Sequence, residues 1–312
     1  MSELVTLILE AGRSGVELAL FILLPVMIIM LTLMRWLEQR GVLDWVAHWC
    51  SPLLRPLGVP GIGVFAVLQL HLVSFAAPIA TLALMNRGQV SRRHIAATLA
   101  MVLAMAQANV IFPMAAVGLN IALVVGFSML GGAVAAAMTY HWFGRNLTEN
   151  LEESEEDAER MPPHKDANAL ETINKAGREA LDICLNAIPM IVLALFAVGV
   201  LREVGLVDLL QAWVAPLFQN LGLPAFAVLP MLTKAIAGGT AMMGISMDAI
   251  QQGVISAAEF NRMAGFVVHP LDLLGIALFM TAGKRVASVI RPAIYGGLCG
   301  VLVRGLLHLL FP

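Results

Sequence analysis

Lys234 sits in the stretch LTKAIAGGTAMM, and His269 and Asp272 sit in HPLDLLG, all within long apolar sequence. An ionisable side chain at membrane depth is costly and is by default a functional candidate. His269 and Asp272 are three positions apart, so on a helix they share a face. Lys234 and Asp272 can neutralise each other, forming a pair that a proton or cation would break. His269, with an unperturbed pKa of about 6.5, can share that proton. The competing reading is a static ion pair that fixes a helix, or a lysine that snorkels to the membrane surface. Gly238, Gly239 and Thr240 follow Lys234 and supply a tight turn that a ligand can approach closely. A milder polar set lies earlier in the chain: Gln107 and Asn109 on one segment, Gln69, His71 and Ser74 on another. These amides and hydroxyls suit a neutral polar solute. A lone histidine such as His71 reads first as a hydrogen-bonded packing residue.

The elements that hold these residues are membrane helices. Of the 312 residues, 59% are apolar and 13% charged, against about half and a quarter in soluble domains. This excludes a cytosolic enzyme, a disordered chain and a nucleic-acid binder, and it predicts an all-α polytopic membrane protein. A span needs about 20 apolar residues. Residues 16–37, 95–117, 121–140, 180–201, 263–283 and 286–310 satisfy this. Residues 61–85 and 225–247 are apolar but interrupted at their middles by polar residues, Gly, Ser or Pro. Residues 144–175 form an acidic, Pro-bearing linker. Cys50, Cys184 and Cys299 are isolated and read as packing residues. The first fifteen residues lack the pattern of a cleaved signal peptide.

The chain repeats itself. GVLDWVAHWCSPLLRPLGVP at 41–60 matches GLVDLLQAWVAPLFQNLGLP at 205–224. Further on, Ser91 meets Ser256, Gln107 meets Asp272, and Gly118 meets Gly283. Two units follow, 11–143 and 176–312. Asp44 and Asp208 read as N-caps of short amphipathic helices. Glu17 and Asp182 are partners near helix starts, beside Arg13 and Arg178, and read as structural. The Gly131-Gly132 and Gly296-Gly297 pairs read as close helix contacts.

Basic residues set orientation. In the first unit, Arg35, Arg40, Arg55, Arg87, Arg92 and Arg93 flank the interrupted segment; in the second, only Arg202 and Arg262 do, offset by Glu203, Asp208, Asp248 and Glu259, and Lys284, Arg285 and Arg291 occupy the following loop. The units therefore face opposite ways, which needs an odd number of crossings in each. Three membrane helices plus one re-entrant hairpin per unit meet that need; eight full spans with parallel units are the alternative. In the hairpin model the tips lie near 74–78 and at 238–240, the linker is cytoplasmic and both termini lie outside.

The repeated unit, with Pro25 and Pro189 early in its first helix and the Pro-Leu-x-x-x-Leu-Gly-x-Pro turn at 52–60 and 216–224, resembles the nucleoside-recognition, or gate, domain. That domain is shared by spore maturation proteins A and B and by the gate regions of concentrative nucleoside and ferrous-iron transporters. The resemblance implies a secondary transporter or permease for a small polar solute, a nucleoside or base among them, working by alternating access in the bacterial cytoplasmic membrane. A divalent-metal or proton pathway and a non-transporting scaffold are the alternatives. No metal-ligand cluster, nucleophile elbow or phosphate loop occurs, so neither an enzyme nor a cofactor is expected. A coupling ion, H+ or Na+, remains open. Expected partners are the lipid bilayer and the solute, not nucleic acid, with room for a homo-oligomer.

Overall fold

A computed structural model describes residues 2–88, 90–147 and 169–311. Most of the acidic linker lies outside them. The described residues are all helix and loop, with no strand. That is what an apolar environment demands, since every backbone polar group there must be satisfied within its own segment.

The first half begins with α1 (Ser2–Glu17), which runs through a π-helical turn, Leu18–Leu23, into α2 (Leu24–Gln39). The short α3 (Val42–Leu54) follows, then α4 (Gly61–Leu68), α5 (Pro78–Arg87), α6 (Arg92–Ala104), α7 (Ala108–Ala115) and α8 (Ile121–Met138). The second half holds α9 (Ala169–Glu203), α10 (Leu206–Asn220), α11 (Val228–Gln251), α12 (Ala257–Val267), α13 (Leu273–Met280), α14 (Lys284–Ser288) and α15 (Ile290–Leu310). Helix α9 begins at Ala169, inside the stretch expected to be linker.

Among the described residues, six helical stretches are long and apolar enough to cross a membrane: Leu4–Leu37, Arg92–Ala115, Ile121–Phe143, Leu170–Glu203, Ala225–Gln251 and Ile290–Leu310. Val42–Leu57 and Gly61–Val73, bent by 113°, make a seventh if they count as one span. This differs from the sequence expectation in three places. The 263–283 segment is not one helix, because residues 268–272 break it into α12 and α13. The 95–117 segment is likewise broken at 105–107. Conversely, 225–251 is helical throughout except at Gly238 (φ 82°, ψ −178°).

Matched glycines share conformation in the two halves. Gly41 and Gly205 have φ of 69° and 71°, and Gly58 and Gly222 have 82° and 65°. Gly41 and Gly205 are themselves the N-caps of α3 and α10, and no side chain caps either helix. The left-handed glycine turn starts the helix, so Asp44 and Asp208 lie in its first turn rather than at the cap. Ser91 and Ser256 do cap α6 and α12, accepting from the N–H of His94 and Glu259. On α3 and α10, Trp45, Trp49 and Leu53, and Leu209, Trp213 and Leu217, are exposed at four-residue spacing. Such aromatic faces suit the membrane–water boundary.

The core is centred on α6, whose residues from Ile95 to Ala104 are all buried. Helix α15 packs against α6, α8 and α12. A Cβ on Gly131 would lie 2.7 Å from the Gly300 carbonyl oxygen, and one on Gly265 would lie 2.6 Å from that of Arg304. Glycine at both points lets the backbones touch.

A cavity between two broken helices

Hairpin one is built by α4, a π-helical turn (Gln69–Val73), a tight loop at 74–77, and α5, which packs back on α4. Pro78 starts α5, where a missing N–H costs nothing. The arms are stapled by the Thr81 hydroxyl, which donates to Gln69 Oε1 at 2.7 Å. Gln69 therefore holds the hairpin together and does not line the cavity described below. Across from the hairpin, His71 Nδ1 lies 2.8 Å from the Ala106 carbonyl oxygen, in the break between α6 and α7. At its tip, Phe75 stacks edge-on against Phe279 of α13, 5.6 Å between ring centres.

The second interrupted segment meets the first half in return. Gly238 has a left-handed φ that breaks α11, and a side chain on Gly239 would run into the Gln107 amide. Glycine is needed at 238 for its conformation, and at 239 it lets the Gln107 amide approach closely.

The two breaks are matched. Gln107 is the N-cap residue of α7 and Asp272 that of α13, the two positions that pair in the sequence repeat. Asp272 is 6% exposed, and its Oδ1 accepts from the Gly275 N–H at 2.7 Å. A carboxylate there also complements the positive end of the helix dipole. Its other oxygen accepts from Lys234 Nζ of α11. Lys234 is 2% exposed, so it pairs and does not snorkel. His269 does not join this pair. Its Nε2 faces the Phe266 carbonyl oxygen at 2.8 Å and its Nδ1 accepts from the Leu271 N–H at 3.1 Å. Both ring nitrogens are spent on the backbone of the break.

Between these parts lies a cavity of about 560 Å³. Its walls come from the hairpin tip (Ser74, Phe75), the first break (Gln107, Asn109), the α11 kink (Gly238, Gly239, Thr240) and the second break (Asp272, Leu274). Gln107 and Asn109 are 2% and 8% exposed, and Gln107 Oε1 and Asn109 Oδ1 have no protein partner. Buried polar atoms are nearly always bonded, so these two are placed for a ligand or water.

The remaining wall was missed in the sequence. Lys175, Arg178, Glu179, Asp182, Asn186 and Met190 of α9 line the same cavity. Their spacing of three and four puts them on one face. That periodicity was available, but Arg178 and Asp182 read as local structure. Glu179 also pairs with Arg35 of α2 at 2.8 Å, tying the wall to the first half. Cys184, on the other face, is buried as expected. Arg13 and Glu17 pair locally at 2.9 Å, as their spacing suggests.

The family model described as gate, nucleoside recognition, matches residues 20–131 and 184–291. The chain belongs to the nucleoside-recognition gate family. It is 33% identical over 137 residues to spore maturation protein B of Bacillus subtilis (strain 168), covering 42% of this chain and 75% of that protein. Its fold is that of the concentrative nucleoside transporter CNTnw. Against the inward-facing, substrate-bound state the TM-score is 0.67 at 17% identity, covering 94% of this chain and 74% of that one. Against an outward-facing variant it is 0.68 at 16% identity, covering 98% and 83%. The gate-family chain is thus a multi-pass membrane protein, and its fold neighbours are transporters and not enzymes.

Proposed function

We propose that this chain is a secondary transporter for a small polar solute of the nucleoside or nucleobase class, bound in the cavity between the two breaks. The observation that carries the reading is the pair of buried, unpartnered amide oxygens, Gln107 Oε1 and Asn109 Oδ1, on the wall of that cavity. An amide offers an acceptor and a donor side by side, which matches the hydrogen-bonding edge of a nucleobase. A cavity of this size is within the range of small-molecule sites. The family model and the fold neighbours support the same class.

Each side chain then has a role. Gln107 and Asn109 orient the solute. The Ser74 hydroxyl and the backbone around Gly238–Thr240 close over it from the two interrupted segments. The Lys234–Asp272 pair fixes the kinked α11 to the second break. The polar face of α9 forms a wetted wall along which the solute reaches the site. Alternating access follows if the two units, 11–143 and 176–312, are inverted repeats that rock against each other. In that arrangement the linker is cytoplasmic and the membrane is the bacterial inner membrane. Among the described residues no three His, Cys, Asp or Glu side chains converge on a metal position, so no observation favours the metal pathway.

The test is binding and uptake by the purified chain in liposomes. Nucleosides and bases are expected to raise its Tm and to enter the lumen, and Gln107→Ala to weaken both. No stabilisation and no uptake with any nucleoside, base or other small polar solute would end the proposal.

A further inference from the structure

The solute reading leaves one buried charge unused. Arg304 of α15 is 0% exposed and lies at the centre of the helix packing. Among the described residues no carboxylate pairs with it. Its guanidinium instead donates to two backbone carbonyls: Nη1 to Ala104 at 2.9 Å and Nη2 to Ala264 at 3.4 Å. Ala104 is the last residue of α6, and Ala264 lies in the last turn of α12. These are the first halves of the two broken helices, so both end inside the protein with their carbonyls directed at one point.

A helix C-terminus carries about −0.5 elementary charge. Two such ends together match one cation. In transporters with broken helices, half-helix C-termini and unwound carbonyls are where a coupling cation is held. We infer that Arg304 is a tethered cation that occupies this position permanently, so the two breaks are held in register without a bound metal ion. The planar fork of arginine reaches both carbonyls at once, which an ammonium cannot do as well. Glycine at 131 and 265 is part of the device, because a Cβ at either would collide with the backbone or side chain of α15 at Gly300 and Arg304. Being covalent and fully enclosed, this charge does not exchange with solvent. If the chain carries solute, its cycle draws no Na+ or K+ at this point.

The experiment uses the purified full chain in detergent and reads Tm, so its outcome is independent of any transported solute. Wild type is compared in choline, Na+, K+ and Li+ chlorides at one ionic strength and is expected to melt at one temperature in all four. Arg304→Met, which keeps the volume and removes the charge, is expected to lower Tm by roughly 10 °C. Arg304→Lys is expected to fall between the two. Arg304→Ala, which opens space, is expected to regain stability in ethylguanidinium at concentrations that leave wild type and Arg304→Met unmoved. A saturable Na+, K+ or Li+ dependence in wild type that Arg304→Met abolishes would overturn the inference. So would an Arg304→Met chain as stable as wild type, or an Arg304→Ala chain that no small cation restores. Should the alanine chain fail to fold, the wild-type comparison and the order of Lys above Met still decide.

Discussion

The two breaks differ in what fills them. At the second, Asp272 caps α13 through one oxygen and binds Lys234 through the other, while His269 spends both nitrogens on the adjoining backbone. The polar side chains at that break are engaged. At the first, Gln107 takes the same N-cap place on α7 without any side-chain cap bond, and its carbonyl and that of Asn109 stand unpartnered. The side chain at the second N-cap is engaged by the protein, whereas the side-chain oxygens at the first have no protein partner. Under the proposed function, equivalent positions in the two halves take a structural task in one and a binding task in the other.

The largest effect should come from unbalancing the second break. Lys234→Met leaves a carboxylate buried without its cation and is expected to cost about 3–5 kcal/mol. Adding Asp272→Asn should recover most of that, because asparagine still caps the helix. Thermal or denaturant unfolding in detergent measures both; a cost below about 1 kcal/mol for the single change would break the contrast. Next is the kink. Gly238→Ala puts a Cβ at a φ of 82° and 3.1 Å from Leu274 Cδ1, which should destabilise by about 1–2 kcal/mol.

The first break should answer in binding instead of stability. Gln107→Ala and Asn109→Ala are each expected to weaken solute binding by about 5–10-fold, the worth of one hydrogen bond, with little change in Tm. Calorimetry alongside a melt separates the two readouts. A large Tm loss with unchanged affinity would reverse the assignment of the breaks. Smallest is Thr81→Val, which removes the staple on Gln69 and should cost about 1 kcal/mol while loosening the tip of hairpin one. Faster backbone hydrogen exchange in 69–81 would report it.

Much of this was legible beforehand because composition and periodicity are local properties. The apolar runs announced membrane helices, and the offset pairing of Gln107 with Asp272 anticipated their matched N-cap positions. The Lys234–Asp272 partnership was readable because a membrane forces charges to pair. The breaks at 105–107 and 268–272 were not read, since both lie in apolar sequence that continues the helical pattern on either side. Nor was the role of α9. Its polar face carries the right spacing, but only the folded arrangement shows that it looks into a cavity and not at lipid. His269 illustrates the opposite error: its ring binds backbone that becomes free only because the helix breaks there. Arg304 sat in a final helix that read as an ordinary span, and its partners are carbonyls, which leave no mark in the sequence.

The central claim is a solute site reached in turn from the two sides of the membrane. Ser74→Cys at the hairpin tip, in a chain whose Cys50, Cys184 and Cys299 are replaced, tests it most directly with a membrane-impermeant thiol reagent. The account predicts that Cys at position 74 is labelled from either face of oriented vesicles, and that a bound nucleoside or base slows labelling from both. Reaction from one face alone, at a rate indifferent to every solute, would contradict it.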